Sequence, residues 1–282
     1  MHKNLVIIEG LPGSGKSTTA KLAKELLDKN NVDSKLILEG NLNHPADYDK
    51  VAYFNKKEFD QLLRNNSSYR DLIIDISVKK SDGYFISYYI QKKRRKEEIS
   101  DDLYKRIIDN DIYELPLKVN KNVILKNWQR FVKKAKREDD IYIFECCFIQ
   151  NPLTIGLVKY NASKERIFNY ILDIEKIINK LNPILIYLKQ NYIEETFYKI
   201  SKERHSKWLN SFLNYYTKQG YGLSKKLSGF SGTIEVLKKR LELELEIYNK
   251  LNINKYLIDN SHYNIEILKS ALLNIFQRET LL

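Results

Sequence analysis

Short runs of apolar residues, most of them closing on a polar one, alternate along this chain with longer stretches in which apolar residues recur every three or four positions. Leu5-Val6-Ile7-Ile8 is continuous and ends at Glu9; residues 35–38 lead to Glu39; residues 141–144 lead to Glu145; Asn182-Pro183 introduces the run 184–188; and residues 255–258 lead to Asp259. Apolar runs of this length predict strands buried on both faces. Between them, residues 18–29 carry Ala20, Ala23, Leu26 and Leu27 on one helical stripe, and further helices are predicted over 120–137, 163–181, 193–206, 234–251 and 264–277. Strands alternating with helices predict an α/β fold, a three-layer, doubly wound, five-stranded parallel sheet in one domain over 1–282. Such sheets bind ligands outside the carboxyl ends of their strands, where Glu9, Glu39 and Glu145 fall.

Residues 41–119 break the alternation and read as an insertion between the second and third strands. Gly40 to Asp47 is a polar loop without helix or strand pattern. Two β-rich runs, 71–78 and 84–90, flank Ser81-Asp82-Gly83, which is a hairpin signature. Tyr84, Tyr88 and Tyr89 read as strand packing, with stacking on a planar ligand as the sharper alternative. The run Lys92-Lys93-Arg94-Arg95-Lys96 reads first as a solvated strand end that blocks edge pairing and second as a contact to an anionic ligand. No repeat, low-complexity tract or Pro/Gly/Ser linker divides the chain.

Directly after the first predicted strand stands Gly10-Leu11-Pro12-Gly13-Ser14-Gly15-Lys16-Ser17, a full match to G-x-x-x-x-G-K-[ST] in its required strand, loop and helix setting. Glycines let backbone N–H groups converge on phosphate oxygens, and a helix N-terminus adds partial positive charge. Gly10 through Thr18 is therefore the candidate phosphate cradle. Lys16 is the candidate cation for the β and γ phosphates, and Ser17 the candidate hydroxyl ligand of Mg²⁺. The glycine order is not that of a dinucleotide loop. No N-K-x-D or D-x-x-G follows, no strand ends in Asp-Glu, and H-R-D and D-F-G are missing. These absences argue against GTPases, motor-type ATPases and protein kinases, and leave a small-molecule kinase.

On these residues the chain resembles the nucleoside and nucleotide kinase branch of P-loop kinases, which includes thymidylate kinases and deoxynucleoside kinases. The resemblance is carried by Gly10 to Ser17, by the strands leading to Glu39 and Glu145, and by 183–204, where a strand precedes a helix ending in Lys202-Glu203-Arg204. It implies ATP and Mg²⁺, with Glu39 as general base on an acceptor hydroxyl. It also implies Glu145 as a carboxylate near Mg²⁺ or substrate, and Arg204 as a lid arginine over the transferring phosphoryl. The residues alone leave Asp47 and Asp49 as alternatives to Glu39, and Lys202 and Lys207 as alternatives to Arg204. The stretch from Gln219 to Gly232 is rich in glycine and predicts, within a lid over 199–232, a mobile element that closes over substrate. Where the family usually carries Asp-Arg or Glu-Arg after its third strand, this chain has Glu145-Cys146-Cys147. The cysteines read as small, half-buried fillers. Gln150 and Asn151 read as hydrogen-bonding partners for a substrate, although a turn before Pro152 also accounts for Asn151.

Composition narrows the rest. A chain of 282 residues that is 43 % hydrophobic is not wholesale disordered, and two adjacent cysteines build no disulfide scaffold. No apolar run approaches the ~20 residues that span a bilayer, and residues 1–10 lack a signal-peptide pattern, so the expected location is cytoplasmic. His2, His44, His205 and His262 are spaced too widely for a metal cluster, which leaves Ser17 and Glu145 as the candidate metal ligands. Basic residues outnumber acidic ones 48 to 36, a net charge of +12. Genome bias toward Lys, Asn, Ile and Tyr explains this as readily as a polyanionic partner does. The leading expectation is ATP-dependent transfer of a phosphoryl group to a hydroxyl or phosphate of a nucleoside-like, nucleotide-like or sugar-like small molecule. A nucleic-acid-binding or polynucleotide-end-modifying protein is a less favoured alternative, and a non-catalytic nucleotide sensor is a third. No motif names the acceptor, and none reports the oligomeric state.

Overall fold

The computed structural model describes residues 4–89 and 99–282, so His2 and the basic run 92–96 lie outside the described residues. In chain order the first elements are β1 (Leu5–Gly10), α1 (Lys16–Lys29), β2 (Ser34–Ile37), β3 (Val51–Phe54), α2 (Lys56–Asn65), α3 (Arg70–Ile76), β4 (Ser77–Lys80), β5 (Gly83–Ser87), α4 (Asp101–Ile108) and α5 (Leu117–Ala135). There follow β6 (Ile141–Glu145), α6 (Gln150–Leu153) continued by a π-helical turn over Thr154–Lys159, α7 (Lys164–Ile178), β7 (Ile184–Lys189), α8 (Ile193–Glu203) and α9 (Ser206–Thr217). Last come α10 (Gly220–Ser224), α11 (Gly229–Lys250), β8 (Asn254–Asp259) and α12 (Ile265–Arg278). The chain groups into two compact units, Met1–Glu39 with Trp128–Leu282, and Gly40–Asn127.

The first unit holds a five-stranded, all-parallel sheet in the order β2-β6-β1-β7-β8. This is the α/β class that the alternating pattern predicts. Its central strands β6, β1 and β7 are buried on both faces and accordingly apolar, whereas the edge strands β2 and β8 are partly exposed. On one face Val6, Ile8, Ile143, Ile184, Ile186 and Leu188 meet Ala20, Ala23, Leu26 and Leu27 of α1 and Leu268, Leu272 and Phe276 of α12. On the other, the Phe131 ring lies 4.9 Å from Tyr142 and 4.8 Å from Phe144, beside the buried Trp128. The chain leaves β1 toward β2 on one side and passes from β6 to β7 on the other. The carboxyl ends of β1 and its neighbours are thus the topological switch point, the place where this architecture opens a crevice. Among the described residues no helix is long and apolar enough to cross a membrane.

Three details differ from the sequence pattern. The second strand stops at Ile37 rather than at Glu39, because the Glu39 N–H donates to a Glu145 carboxylate oxygen (2.9 Å) instead of a ladder partner. The glycine-rich stretch is largely helical, in α10 and the start of α11. Its glycines permit close packing: a Cβ on Gly222 would stand 2.1 Å from the Tyr216 carbonyl oxygen. Cys146 and Cys147 are fully buried, not half-buried.

The second unit, taken by itself, holds a three-stranded antiparallel sheet in the order β3-β5-β4. The predicted hairpin is present as β4 and β5, but only the end of 71–78 is strand. Residues 70–76 form a helix because Ile73 and Ile76, three apart, both enter a core with Phe59, Leu62, Leu63, Leu103 and Ile107. Gly83 at φ +153° opens β5 where a Cβ would sit 2.6 Å from the Phe54 carbonyl oxygen. Tyr84 stacks on Phe59 at 3.9 Å, and the Tyr88 hydroxyl donates to Asp111 (3.0 Å), so both serve packing. Lys50 lies 4.4 Å over the Tyr89 ring. Asp47 is held inside this unit, accepting from the Tyr48 N–H and the Tyr113 hydroxyl. Asp49 pairs with Lys50 at 3.7 Å. His44 accepts the N–H groups of Ala46 and Asp47 on Nδ1, and burial pushes its pKa down to about 3.

Candidate phosphate-binding cleft

β1 ends at Gly10, whose φ of +146° turns the chain where a Cβ would stand 2.6 Å from the Leu188 carbonyl oxygen. At Gly15, φ +92°, a Cβ would meet the Asn260 side-chain amide at 2.6 Å. Both positions therefore exclude any other residue. The loop's carbonyls are tied down one by one. Lys16 Nζ donates to Gly10 O (2.9 Å) and Leu11 O (2.8 Å), Tyr263 donates to Gly13 O (3.0 Å), and Asn260 Nδ2 donates to Ser14 O (2.8 Å). The first-turn N–H groups of α1 have no intrahelical acceptor by geometry, and the helix dipole adds to their pull on an anion.

Facing the loop is a cleft of about 890 Å³. Pro12, Gly13, Gly15, Lys16, Ser17 and Thr18 form its floor, and Glu39, Gln150, Asn151 and Arg204 also line it. Gly10, Leu11 and Ser14 complete the loop behind this surface; Leu11 and Ser14 are buried. The Ser17 hydroxyl donates to Glu145 Oε1 (3.1 Å), the oxygen that also receives the Glu39 N–H. The Glu39 carboxylate in turn accepts from the Cys146 thiol (3.3 Å) and from Gln150 Nε2 (3.2 Å). Ser17, Glu39 and Glu145 are thus one hydrogen-bonded group; Lys16 lines the cleft beside it, and Glu145 is buried and does not line the cleft. Arg204 lies just past α8, extended, with its guanidinium 5.5 Å from the Trp208 ring. Lys202 and Lys207 do not line the cleft, whereas Lys199 does.

Glu9 is brought to the same end of the sheet but not into the cleft. It is fully buried and accepts three backbone N–H groups, from Phe148 (2.7 Å), Ile149 (2.9 Å) and Gln150 (3.0 Å). Burial outweighs these donors and pushes its pKa up to about 7. Glu9 therefore pins the turn that carries Gln150.

One wall was not read from the sequence. Trp208, Phe212 and Tyr216 of α9 form a continuous ring stack, with centroids 4.9 Å and 4.2 Å apart. Beneath it Arg240 of α11 is fully buried and lines the cleft. Its guanidinium donates to Glu244 (2.7 and 3.1 Å) and to the Tyr216 hydroxyl, and Tyr187 donates to the other Glu244 oxygen (2.7 Å). The signal for the ring stack is its i, i+4, i+8 spacing, which looks the same as an ordinary core stripe.

No family model matches the chain. One solved structure similar to it is the thymidylate kinase of Candida albicans, at 14 % identity over 99 % of this chain and 93 % of that one, with a TM-score of 0.47.

Proposed function

We propose that this protein is an ATP- and Mg²⁺-dependent phosphotransferase that moves the γ-phosphoryl group of ATP to a ring-bearing, nucleotide-like small molecule. The observation that carries this reading is a complete phosphate loop whose Lys16 and Ser17 line one cleft with Glu39, while the buried Glu145 accepts from both the Ser17 hydroxyl and the Glu39 N–H. The Mg²⁺ fit rests on Glu145: it is buried, Oε1 already meets the Ser17 hydroxyl, and Oε2 has no hydrogen-bond partner among the described residues. Ser17 and Glu145 are the residues that would hold the ion, which, bound with the nucleotide, neutralises charge on the phosphate oxygens.

Lys16 releases its two loop carbonyls to reach the β and γ oxygens. Glu39 takes the proton of the acceptor hydroxyl as that oxygen attacks the γ-phosphorus. The bond to the β–γ bridging oxygen breaks, and ADP leaves. Arg204, on the opposite wall, adds positive charge over the transferring group. The ring stack Trp208-Phe212-Tyr216 favours a planar acceptor over a bare sugar. ADP release from MgATP with a panel of nucleosides, nucleotides and sugars tests this. The expected result is acceptor-dependent ADP that disappears in Lys16→Ala. ADP no higher than in that variant would refute the reading.

A further inference from the structure

Cys146 follows β6 at φ +68°, a left-handed backbone that a residue with a side chain rarely adopts. Glycine would relieve this strain, yet a cysteine stands there, which points to a use for its side chain. The residue is completely buried and its N–H continues the β1 ladder by donating to Ile8 O (3.2 Å). Its thiol reaches Glu39 Oε2 at 3.3 Å, while Gln150 Nε2 reaches Glu39 Oε1 at 3.2 Å. Each carboxylate oxygen therefore has one donor, from opposite sides. Gln150 is itself only 7 % exposed and lines the cleft, and its buried Oε1 has no hydrogen-bond partner among the described residues.

We propose that Cys146 and Gln150 are positioning residues that hold the Glu39 carboxylate between two side-chain donors, one on each oxygen, and so orient it toward the acceptor. This rests on the reading of Glu39 as the base.

The test compares Cys146→Ala, Cys146→Ser and Cys146→Gly in two assays. One is ADP release from MgATP with the same metabolite panel. The other is carbon-13 NMR of the Glu39 carboxyl in glutamate-labelled protein, its signal assigned with Glu39→Gln. Cys146→Ala is expected to lower kcat about tenfold, the size of a lost hydrogen bond to a charged group, with KM for MgATP within about twofold, and to shift the Glu39 signal. Cys146→Ser restores both, because a hydroxyl also donates. Cys146→Gly relieves the backbone strain, so its loss of activity at an undiminished melting temperature separates positioning from folding. If Cys146→Ala matches the wild type in kcat and in the Glu39 signal, while Lys16→Ala and Glu39→Gln are inactive, the clamp is overturned and the kinase reading stands. If Lys16→Ala is as active as the wild type, the kinase reading itself falls.

Discussion

Replacing Glu244 by Gln leaves the buried Arg240 charge without its carboxylate counter-ion. Both side chains are completely buried. Burial works against the Arg240 charge, and Tyr216 and Glu244 more than offset it, raising its pKa overall. Glu244 is the one carboxylate bonded to the guanidinium, through Nε at 3.1 Å and Nη2 at 2.7 Å. Breaking such a buried pair costs about 3–5 kcal/mol. At about 3 °C per kcal/mol for a chain of this size, the melting temperature should fall by about 10 °C, read by calorimetry and by urea unfolding with an unchanged slope. The double variant Arg240→Met, Glu244→Leu removes both charges and should recover at least half the loss. What it keeps losing is the pairing of the Tyr187 and Tyr216 hydroxyls. A loss below about 1 kcal/mol in Glu244→Gln, or a double variant worse than the single, would refute the reasoning, since either result means the pair is not isolated from water.

Glu39→Gln should lower kcat by about 10²–10⁴ with MgATP affinity unchanged, the range of general-base loss, measured by steady-state kinetics and calorimetric titration. Glu9 gives a pH signature. Its folded pKa is raised from the ordinary 4.5 to about 7, so its stabilisation is full below 4.5 and is lost as pH rises through 7. At about 1.4 kcal/mol per unit this is about 3 kcal/mol. Because the lowered pKa of His44 pulls the other way, the quantity to measure is the wild-type stability minus that of Glu9→Gln, which should fall between pH 5 and 8. A flat difference would contradict the assignment. In the second unit Asn55 and Glu58 form a reciprocal capping box at the start of α2, and Asn55→Ala should cost about 1 kcal/mol by urea denaturation.

The parallel sheet was legible because its central strands β6, β1 and β7 are apolar runs buried on both faces, alternating with helical stripes, and the loop because its glycines and Lys16 match one motif in its required setting. The second unit was less so. Val51–Phe54 is a strand of only four residues, too short for its period to show, and Asp71–Val78 is rich in β-branched residues although tertiary packing of Ile73 and Ile76 makes most of it a helix. At the site, the positions of Glu39 and Glu145 could be read as strand ends, but their bonds to each other could not. Arg240 was invisible for a physical reason: it sits in a helix dense with Lys and Glu, and nothing in the sequence shows which of these charges faces the interior.

Partner counting separates the buried acids of the first unit. Glu9 accepts three backbone N–H groups, and its two oxygens are taken. Glu244 is satisfied by Arg240 and Tyr187. Buried acids with every oxygen matched stabilise structure and resist any further ligand. Glu145 differs, because one oxygen organises Ser17 and Glu39 while the other, also buried, has no hydrogen-bond partner among the described residues. A desolvated carboxylate oxygen left in that state is unfavourable unless a cation arrives. On the proposed reading, that cation is the divalent ion carried by the nucleotide. Glu145→Gln should therefore weaken MgATP binding much more than it weakens binding of ATP in the presence of a chelator, and equal losses in the two conditions would show that the carboxylate serves only to hold Ser17.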